Sequence, residues 1–317
     1  MEYIRNTTDF HIAPETVVSL GKFDGIHRGH GYLLEYLEEK KRTGLKTVIF
    51  TFDIPPKRQI GIGKEEKVLT TNEEKVRLFD QYGIDYLVEC PFTKELMHME
   101  PEDFIEMIVR RLNIKSLVVG KDFHFGKNRR GDHRMLERFA DTYGYEVEVV
   151  DKIQEEGRDI SSTFIREEIS AGRVAHANEL LGYRYFVQGI VVHGNEIGRT
   201  LNVPTANLIP AEDKLLPPFG VYVTKTTVFD KDGQVYGGIT NVGCKPTIEG
   251  VNPVGVETHL FGFDDQIYGA RIKVEFLDMV RPEQKFHSLE ELKEQMLKDI
   301  QYGEKYYTNI TKITEIC

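Results

Sequence analysis

Two histidines stand three residues apart in a glycine-rich segment near the amino terminus. His27 and His30 belong to GKFDGIHRGH, residues 21–30, between a predicted strand at Val17–Leu20 and a predicted helix at Gly31–Lys40. Glycines permit a tight turn and close approach of the backbone to a ligand, and a helix amino terminus attracts phosphate. Both imidazoles can then donate hydrogen bonds to phosphate oxygens from one side of the first turn. A metal pair or two ordinary surface histidines are the alternatives.

A second segment, ISSTFIR at residues 160–166, combines three hydroxyls with a guanidinium. Hydroxyls together with Arg166 could clamp a triphosphate. Alternatively, Ser162 or Thr163 caps the helix that follows.

A third segment, GKDFHFG at residues 120–126, opens a locally basic stretch of an acidic chain. Five Lys/Arg and two Asp fall between Lys121 and Arg134. The position after an apolar strand and the two aromatic rings favour a pocket for a flat ligand that carries phosphate. A solvated basic loop is the alternative.

A fourth segment, VPTANL at residues 203–208, has Thr205 and Asn207 two positions apart. Hydroxyl and amide oxygens are hard ligands that suit Mg²⁺ bound to phosphates. The alternative is a loop in which Thr and Asn hydrogen-bond to their own backbone.

The elements around these segments predict two domains, 1–183 and 184–317. In the first, short apolar strands alternate with amphipathic helices, which predicts an α/β domain with a parallel sheet. Ligands bind such sheets beyond the carboxyl ends of the strands, which directs attention to the loops after Leu20, Phe52 and Val119. The predicted strands of this domain are Val17–Leu20, Thr47–Phe52, Tyr86–Cys90, Leu117–Val119 and Glu146–Val150.

The sequence of the second domain consists of short strand-like runs separated by Gly, Pro, Asn and Asp. This pattern predicts an antiparallel meander or β-barrel. A carboxy-terminal helix closes it, with Ser288 and Glu291 as a capping box. The apolar stripe predicted for that helix is Leu289, Leu292, Met296 and Ile300. Beyond the stripe, Ile310, Ile313 and Ile316 are expected to form a docked last turn or, alternatively, a partner contact.

Composition limits the classes of protein that this chain can belong to. With 41 Lys+Arg against 51 Asp+Glu the net charge is −10, which argues against nucleic-acid binding. We find no apolar run of the length that spans a membrane and no signal-peptide pattern. The three cysteines form no CxxC pair, so we do not expect a disulfide framework. We expect a cytoplasmic location.

The segments at residues 21–30, 120–126 and 160–166, in this order along the chain, resemble the nucleotidyltransferase module of the bacterial bifunctional riboflavin kinase/FAD synthetases. The resemblance extends from about Val17 to about Ile300. It implies that ATP and FMN bind the first domain and that the FMN phosphate attacks the ATP α-phosphorus, giving FAD and pyrophosphate. His27, His30 and Arg166 are then the catalytic residues. The implied ATP site comprises Gly21, Phe23, Asp24, Gly25, Gly29, Ser161, Ser162 and Thr163, and the implied flavin side comprises Asp122, Phe123 and Phe125.

The second domain resembles the kinase module of the same family, which phosphorylates riboflavin to FMN with ATP. The resemblance implies that Thr205 and Asn207 hold Mg²⁺ and that Gly198 joins them at the ATP phosphates. Glu257, in the strand VETHL, is then the base that takes the proton of the riboflavin 5′-hydroxyl. Arg281 and Phe286 belong to the flavin side.

Several positions depart from the usual family pattern and motivate alternatives to the two-step enzyme. Ile54–Pro56 replaces a Pro-His-Pro loop, and Asn202, Val203, Lys245 and Pro282 differ in the kinase half. One alternative is a monofunctional FMN adenylyltransferase with a degenerate kinase module. A flavin-nucleotide sensor without turnover is a third hypothesis, and the sequence predicts no oligomeric state.

Overall fold

The computed structural model describes residues 1–53, 67–194, 198, 203–244 and 254–314, with side chains up to Ile310. The chain separates into two compact units, Met1–Ser162 and Thr163–Cys317. Each unit is built on a sheet of its own.

The first unit contains a six-stranded sheet with the order β1-β4-β3-β2-β5-β8, in which every neighbouring pair is parallel. Two short hairpins, β6 with β7 and β9 with β10, lie outside it. The strands are β1 (Glu2–Arg5), β2 (Thr16–Leu20), β3 (Lys46–Phe52), β4 (Tyr86–Cys90), β5 (Ile114–Gly120), β6 (His124–Phe125), β7 (Gly131–Asp132), β8 (Glu146–Val150), β9 (Gln154–Glu155) and β10 (Arg158–Asp159).

Helices connect these strands as the alternating pattern predicted. They are α1 (Arg28–Arg42), α2 (Asn72–Gln81), α3 (Lys94–His98), α4 (Pro101–Leu112) and α5 (His133–Tyr143). Two further helices, α6 (Ser162–Ser170) and α7 (Val174–Leu181), follow the last of these strands and, apart from Ser162, belong to the second unit. Every residue of β2 is buried, as expected for a central strand covered on both faces. The α/β prediction is confirmed, but α1 begins at Arg28 and not at Gly31 as predicted, so Gly29 and His30 belong to its first turn.

The sheet changes direction between β2 and β5. The chain steps from β2 through β3 to β4 on one side, and β5 then pairs with the other side of β2. The loops after β2 and β5 therefore leave adjacent strands in opposite directions, which is where ligands bind in open parallel sheets. The segments at residues 21–30 and 120–126 both begin at this point.

The second unit is a closed antiparallel barrel with the order β11-β12-β15-β14-β13-β16. Its strands are β11 (Phe186–Val192), β12 (Ala206–Leu208), β13 (Gly220–Val228), β14 (Gln234–Cys244), β15 (Val254–Leu260) and β16 (Arg271–Pro282). The barrel confirms the antiparallel prediction. The loop interpretation of VPTANL is wrong for its last residues, because Ala206–Leu208 pairs with β11 and β15.

The long helix α8 (Leu289–Thr314) packs on the outside of the barrel. Ser288 caps it, with its Oγ accepting from the Glu291 N–H at 3.1 Å, while the Glu291 carboxylate accepts from the His287 N–H. Of the predicted stripe, Leu289 is exposed, and Leu292, Met296 and Ile300 are half-buried. Ile310 packs against the barrel, in agreement with a docked end, and Ile313 and Ile316 lie outside the described side chains.

Within the described residues, no helix is long and apolar enough to cross a membrane.

Candidate active sites

The turn after β2 is held in a strained backbone conformation. Phe23, Gly25 and Ile26 all have positive φ, at 48°, 85° and 28°. Left-handed angles are costly for a β-branched residue such as isoleucine. Phe23 and Ile26 are each 1% exposed, so their burial in the core offsets this strain. A Cβ at Gly21 would lie 3.0 Å from the Phe23 ring, which explains the glycine at the start of the turn.

Asp24 fastens this turn to neighbouring segments. Its Oδ1 accepts hydrogen bonds from the N–H groups of Leu69 and Thr70, at 2.8 and 3.1 Å. The Thr70 hydroxyl accepts in turn from the Gly25 N–H, and the Ser162 hydroxyl donates to the Asp24 carbonyl at 2.7 Å. These contacts give Asp24 and Ser162 a clear part in shaping the turn. Ser162 is the first residue of α6 rather than a residue before it.

The two histidines stack on each other at the start of α1. Their ring centroids are 3.9 Å apart, with an angle of 27° between the planes. The His27 backbone N–H donates to Nδ1 of His30 at 3.2 Å, so the proton of a neutral His30 ring is on Nε2, free to donate. A Cβ at Gly29 would lie 2.9 Å from the His27 ring, so only glycine leaves that ring in place.

Burial keeps both imidazoles uncharged near neutral pH. It lowers the pKa of His27 to about 4, an effect that the negative charge of Asp122 partly opposes. Burial, followed by repulsion from His27, lowers the pKa of His30 well below its ordinary value. Nδ1 of His27 is buried and has no hydrogen-bond partner among the described residues. An unpaired buried ring nitrogen at a helix amino terminus is available to a ligand.

The loop after β5 contributes Asp122 and two aromatic rings. Asp122 is exposed and forms an ion pair with Lys152 at 3.1 Å. Phe123 and Phe125 stack with their centroids 5.6 Å apart. Phe125 is 6% exposed and belongs to the hydrophobic core, so its ring supports the loop, and half-buried Phe123 is the ring nearer to solvent.

The remaining predicted residues of the first site lie on the segment around α6. Ser161 precedes the helix, and Thr163 and Arg166 lie within its first turns. Arg166 is half-buried. By the division of the chain, Thr163 and Arg166 belong to the second unit.

A row of residues crosses five strands of the barrel on its outer face. Asn207 of β12 is directly opposite Glu257 of β15, and Glu257 is opposite Asn241 of β14. The row continues through Val221 of β13 to Arg281 of β16. Directly opposed residues share a face of the sheet, with Cβ atoms about 5 Å apart. Glu257 therefore stands between two amides.

Asn207 is the most enclosed polar member of the row, at 5% exposed. Its amide nitrogen donates to the Thr205 carbonyl at 3.3 Å. A Cβ at Gly194 would lie 2.6 Å from the Asn207 amide, so the glycine backbone packs directly on it. The backbone of Gly198 also packs closely on its neighbours, since a Cβ there would lie 2.3 Å from the carbonyl oxygen of Val203.

At the other end of the row, the two predicted flavin-side residues lie near each other. The Arg281 guanidinium lies 5.7 Å from the centre of the Phe286 ring. Its Nη2 donates to Oδ2 of Asp299, a buried carboxylate on α8, at 2.8 Å. The side chain of Arg281 is thus engaged within the protein. Pro282 ends β16 opposite Gly220.

Sequence reasoning missed two residues of these regions, Thr70 and Asp299. Their positions depend on contacts distant in sequence, which no local pattern reports. Most of the residues that depart from the family pattern lie outside the described residues or at their edge. Ile54–Pro56, Asn202 and Lys245 are not described, and Val203 is buried.

Comparisons with known proteins agree with both halves of the chain. A model of FAD synthetase matches residues 9–164, and a model of riboflavin kinase matches residues 181–307. The bifunctional riboflavin kinase/FMN adenylyltransferase of Bacillus subtilis (strain 168) is 36% identical, covering 98% of this chain and 100% of the relative. The protein of the same name from Escherichia coli (strain K12) is 34% identical, with 94% and 96% covered.

A solved structure from Streptococcus pneumoniae, described as a macrolide-efflux protein, has a similar fold. Its TM-score is 0.84 at 32% identity, and the match covers 94% of this chain and 96% of that one. The efflux description applies to that protein.

A parallel-sheet domain of the FAD synthetase type joined to a riboflavin-kinase barrel defines a two-domain transferase. The chain belongs to the bifunctional riboflavin kinase/FMN adenylyltransferase family. It is therefore an enzyme, and the presence of both modules favours the two-step hypothesis over an adenylyltransferase alone or a sensor.

Proposed function

We propose that this chain converts riboflavin to FMN in the barrel and FMN to FAD in the parallel-sheet domain, with ATP consumed at each step. The observation that carries the proposal is the pairing of two separate phosphate-type sites with two family matches in one chain. We assign the adenylyltransferase to residues 1–183 and the kinase to residues 184–317. The location is proposed to be cytoplasmic.

In adenylyl transfer, the FMN phosphate oxygen attacks the ATP α-phosphorus, and pyrophosphate leaves. No covalent enzyme intermediate is required, so catalysis consists of positioning and stabilisation of charge. We assign this stabilisation to His27 and His30, whose neutral rings stack at the amino terminus of α1. Neutral imidazoles donate hydrogen bonds through N–H without needing a proton from solvent. From the family resemblance we propose Ser161, Ser162, Thr163 and Arg166 as contacts of the ATP triphosphate, and Asp122 and Phe123 as residues of the flavin side.

In the kinase step, the riboflavin 5′-hydroxyl attacks the ATP γ-phosphorus, and ADP leaves. We assign the proton acceptor to Glu257, since a positioned carboxylate assists attack by a weakly nucleophilic alcohol. Its half-buried position on the outer face of β15 keeps it accessible to substrate. Asn207, opposite Glu257, supports the assignment because it brings a phosphate-type ligand within one strand spacing of the base.

The residues beside Glu257 fit Mg²⁺ delivered with ATP. Thr205 and Asn207 offer hydroxyl and amide oxygens, which are hard donors. Mg²⁺ takes few protein ligands when phosphates and waters supply the rest, which suits a pair of neutral side chains. When bound, the ion would neutralise charge on the ATP phosphates. Gly198, close to Thr205, is the proposed backbone contact with those phosphates.

The deciding experiment incubates the purified chain with riboflavin and MgATP and separates the flavins by chromatography over time. Two active sites produce FMN first and FAD later, and pyrophosphate appears only with FAD. Accumulation of neither product from riboflavin, together with FAD from added FMN, would instead identify a one-step adenylyltransferase. Flavin retention without any product at stoichiometric ATP would identify a sensor.

A further inference from the structure

The amide of Asn241 lies beside the proposed base, directly across the strand pair from Glu257. Its side chain is half-buried on the outer face of β14, directly opposite Glu257. Among the residues that the structure describes, none forms a hydrogen bond with this amide. An amide offers one acceptor and two N–H donors, so an unused one at a substrate site has the full capacity to bind a ligand.

The order of residues in the row across the outer face of the barrel indicates which part of the substrate contacts Asn241. Asn207, on the proposed metal and phosphate side, is followed by Glu257 and then by Asn241 on three successive strands. In phosphoryl transfer the attacking and leaving oxygens are roughly in line on opposite sides of phosphorus. An alcohol that approaches Glu257 from the side away from Asn207 must therefore carry the rest of its chain toward Asn241.

The surface next to Asn241 suits an uncharged polar chain better than a phosphate. Gly243 and Gly255 form the next opposed pair on this face and contribute no side chains. Oε1 of Glu283 and Nδ2 of Asn241 each lie 3.3 Å from the point where a Cβ at Gly243 would stand. Glu257 lies on one side of this amide and Glu283 on the other, and two carboxylates disfavour an anion in direct contact with it. Neutral hydroxyl groups, which both donate and accept, match an amide placed there.

We propose that Asn241 binds the secondary hydroxyl groups of the riboflavin side chain and thereby selects a polyol substrate for phosphorylation. The inference rests on the proposed kinase function and extends it to substrate specificity. In the free enzyme water satisfies the half-exposed amide, and the substrate hydroxyls replace that water. Asn241 thus acts by binding substrate, not by orienting Glu257.

The test compares riboflavin with an analogue whose side chain is 5-hydroxypentyl, which keeps the reacting hydroxyl and lacks the secondary ones. Asn241→Ala should lower kcat/KM for riboflavin about tenfold, mainly through KM, as expected for one or two lost hydrogen bonds. For the analogue the same substitution should have no effect. Asn241→Ser, which keeps a hydroxyl donor and acceptor, should recover part of the loss. Gln234→Ala, an exposed site on the same strand, is the matched control.

Each alternative outcome is distinguishable. An equal loss with riboflavin and the analogue, or a shifted pH profile of kcat, would mean that Asn241 works through Glu257, and would overturn the inference. No loss with either substrate would overturn it as well. Unchanged phosphorylation of the analogue in the same preparation verifies that the barrel of the variant is folded. A wild-type chain that makes no FMN from riboflavin would refute the proposed kinase function itself.

Discussion

Arg281 and Asp299 form an ion pair that ties the last barrel strand to the outer helix. Nε and Nη2 of the guanidinium both donate to the carboxylate, at 2.8–3.2 Å, and Gln295 donates to the same carboxylate at 2.8 Å. The Asp299 side chain is only 4% exposed and that of Arg281 is 17% exposed. The end of the outer row is therefore fixed by a bidentate contact between Arg281 and a buried carboxylate.

Asp299→Ala should destabilise the barrel strongly. Removal of one partner leaves a buried guanidinium without its counter-charge, which costs about 3 kcal/mol. Urea unfolding of the variant should show this loss in the free energy of unfolding. Asp264→Ala, at an exposed position on the same unit, is the control and should leave stability within about 0.5 kcal/mol of the wild type. Equal stabilities for the two variants would mean that the ion pair contributes nothing.

Glu257→Gln should stop the first reaction and leave the second. The amide keeps the shape of the side chain but cannot accept the hydroxyl proton, so FMN formation should fall about 100-fold or more. FAD formation from added FMN should stay near the wild-type rate. Chromatography of both reactions on one preparation measures the two effects together. Wild-type rates of FMN formation would remove Glu257 from the role of base.

His30→Ala should have the reverse effect. Loss of a hydrogen-bond donor to the transferring phosphate should lower FAD formation by about 100-fold, and FMN formation from riboflavin should persist. The measurement is the accumulation of FMN when riboflavin and MgATP are supplied. A variant that is folded and loses both activities would contradict the assignment of two separate sites.

Gly29→Ala tests whether the position of the two histidine rings matters, without removing any functional group. The added Cβ would lie 2.9 Å from the His27 ring and 3.3 Å from the Ile160 carbonyl oxygen, so the ring must move. We expect FAD formation to fall about tenfold, since small displacements of catalytic groups are costly. Gly31→Ala is the matched control, because a Cβ there meets no atom within 4 Å. It should be fully active and somewhat more stable, as alanine favours helix.

The lowered pKa of His27 predicts a loss of stability in mild acid. The folded state holds this ring neutral down to about pH 4, whereas an unfolded histidine gains a proton near pH 6.5. Between those values the unfolded state binds more protons, so stability is full above about pH 6.5 and declines as pH falls toward 4. The midpoint of thermal unfolding should therefore drop less in His27→Gln than in the wild type between pH 6.5 and 4.5.

A matched substitution separates this effect from general acid sensitivity. His11→Gln, at an exposed position, is the matched control for the loss of an imidazole. If His27→Gln and His11→Gln had the same pH dependence as the wild type, the neutral state of His27 would contribute nothing to stability.

Much of the fold was predictable because its signals are local. The strands Tyr86–Cys90 and Glu146–Val150 have the predicted bounds, since apolar runs between turn residues define them. The start of α1 was not predictable from local signals, because Gly29 is a poor helix former. Its presence in the first turn is explained by the His27 ring, which packs directly against it. A three-residue strand such as β12 has too little periodicity to be distinguished from a loop.

The candidate sites were predictable to the level of residue type. His27 and His30 stood out by spacing, but their stacking and neutrality depend on burial that spacing does not report. The neighbours Asn207, Glu257 and Asn241 come from segments more than fifteen residues apart, and only the register of the barrel aligns them. Register is fixed by the whole sheet, so this alignment requires three-dimensional information.

The barrel is closed through its shortest strand. β12 pairs with β11 at two positions and with β15 at three, whereas β13 and β14 pair at nine. Fewer backbone hydrogen bonds mean a lower free energy of local opening. Amide protons of Ala206–Leu208 should thus exchange with deuterium before those of β13, and bound nucleotide should slow them most. The strand that carries Asn207 is thus the one with the fewest backbone pairs to its neighbours. A ligand that bound Asn207 would therefore also stabilise the closure of the sheet.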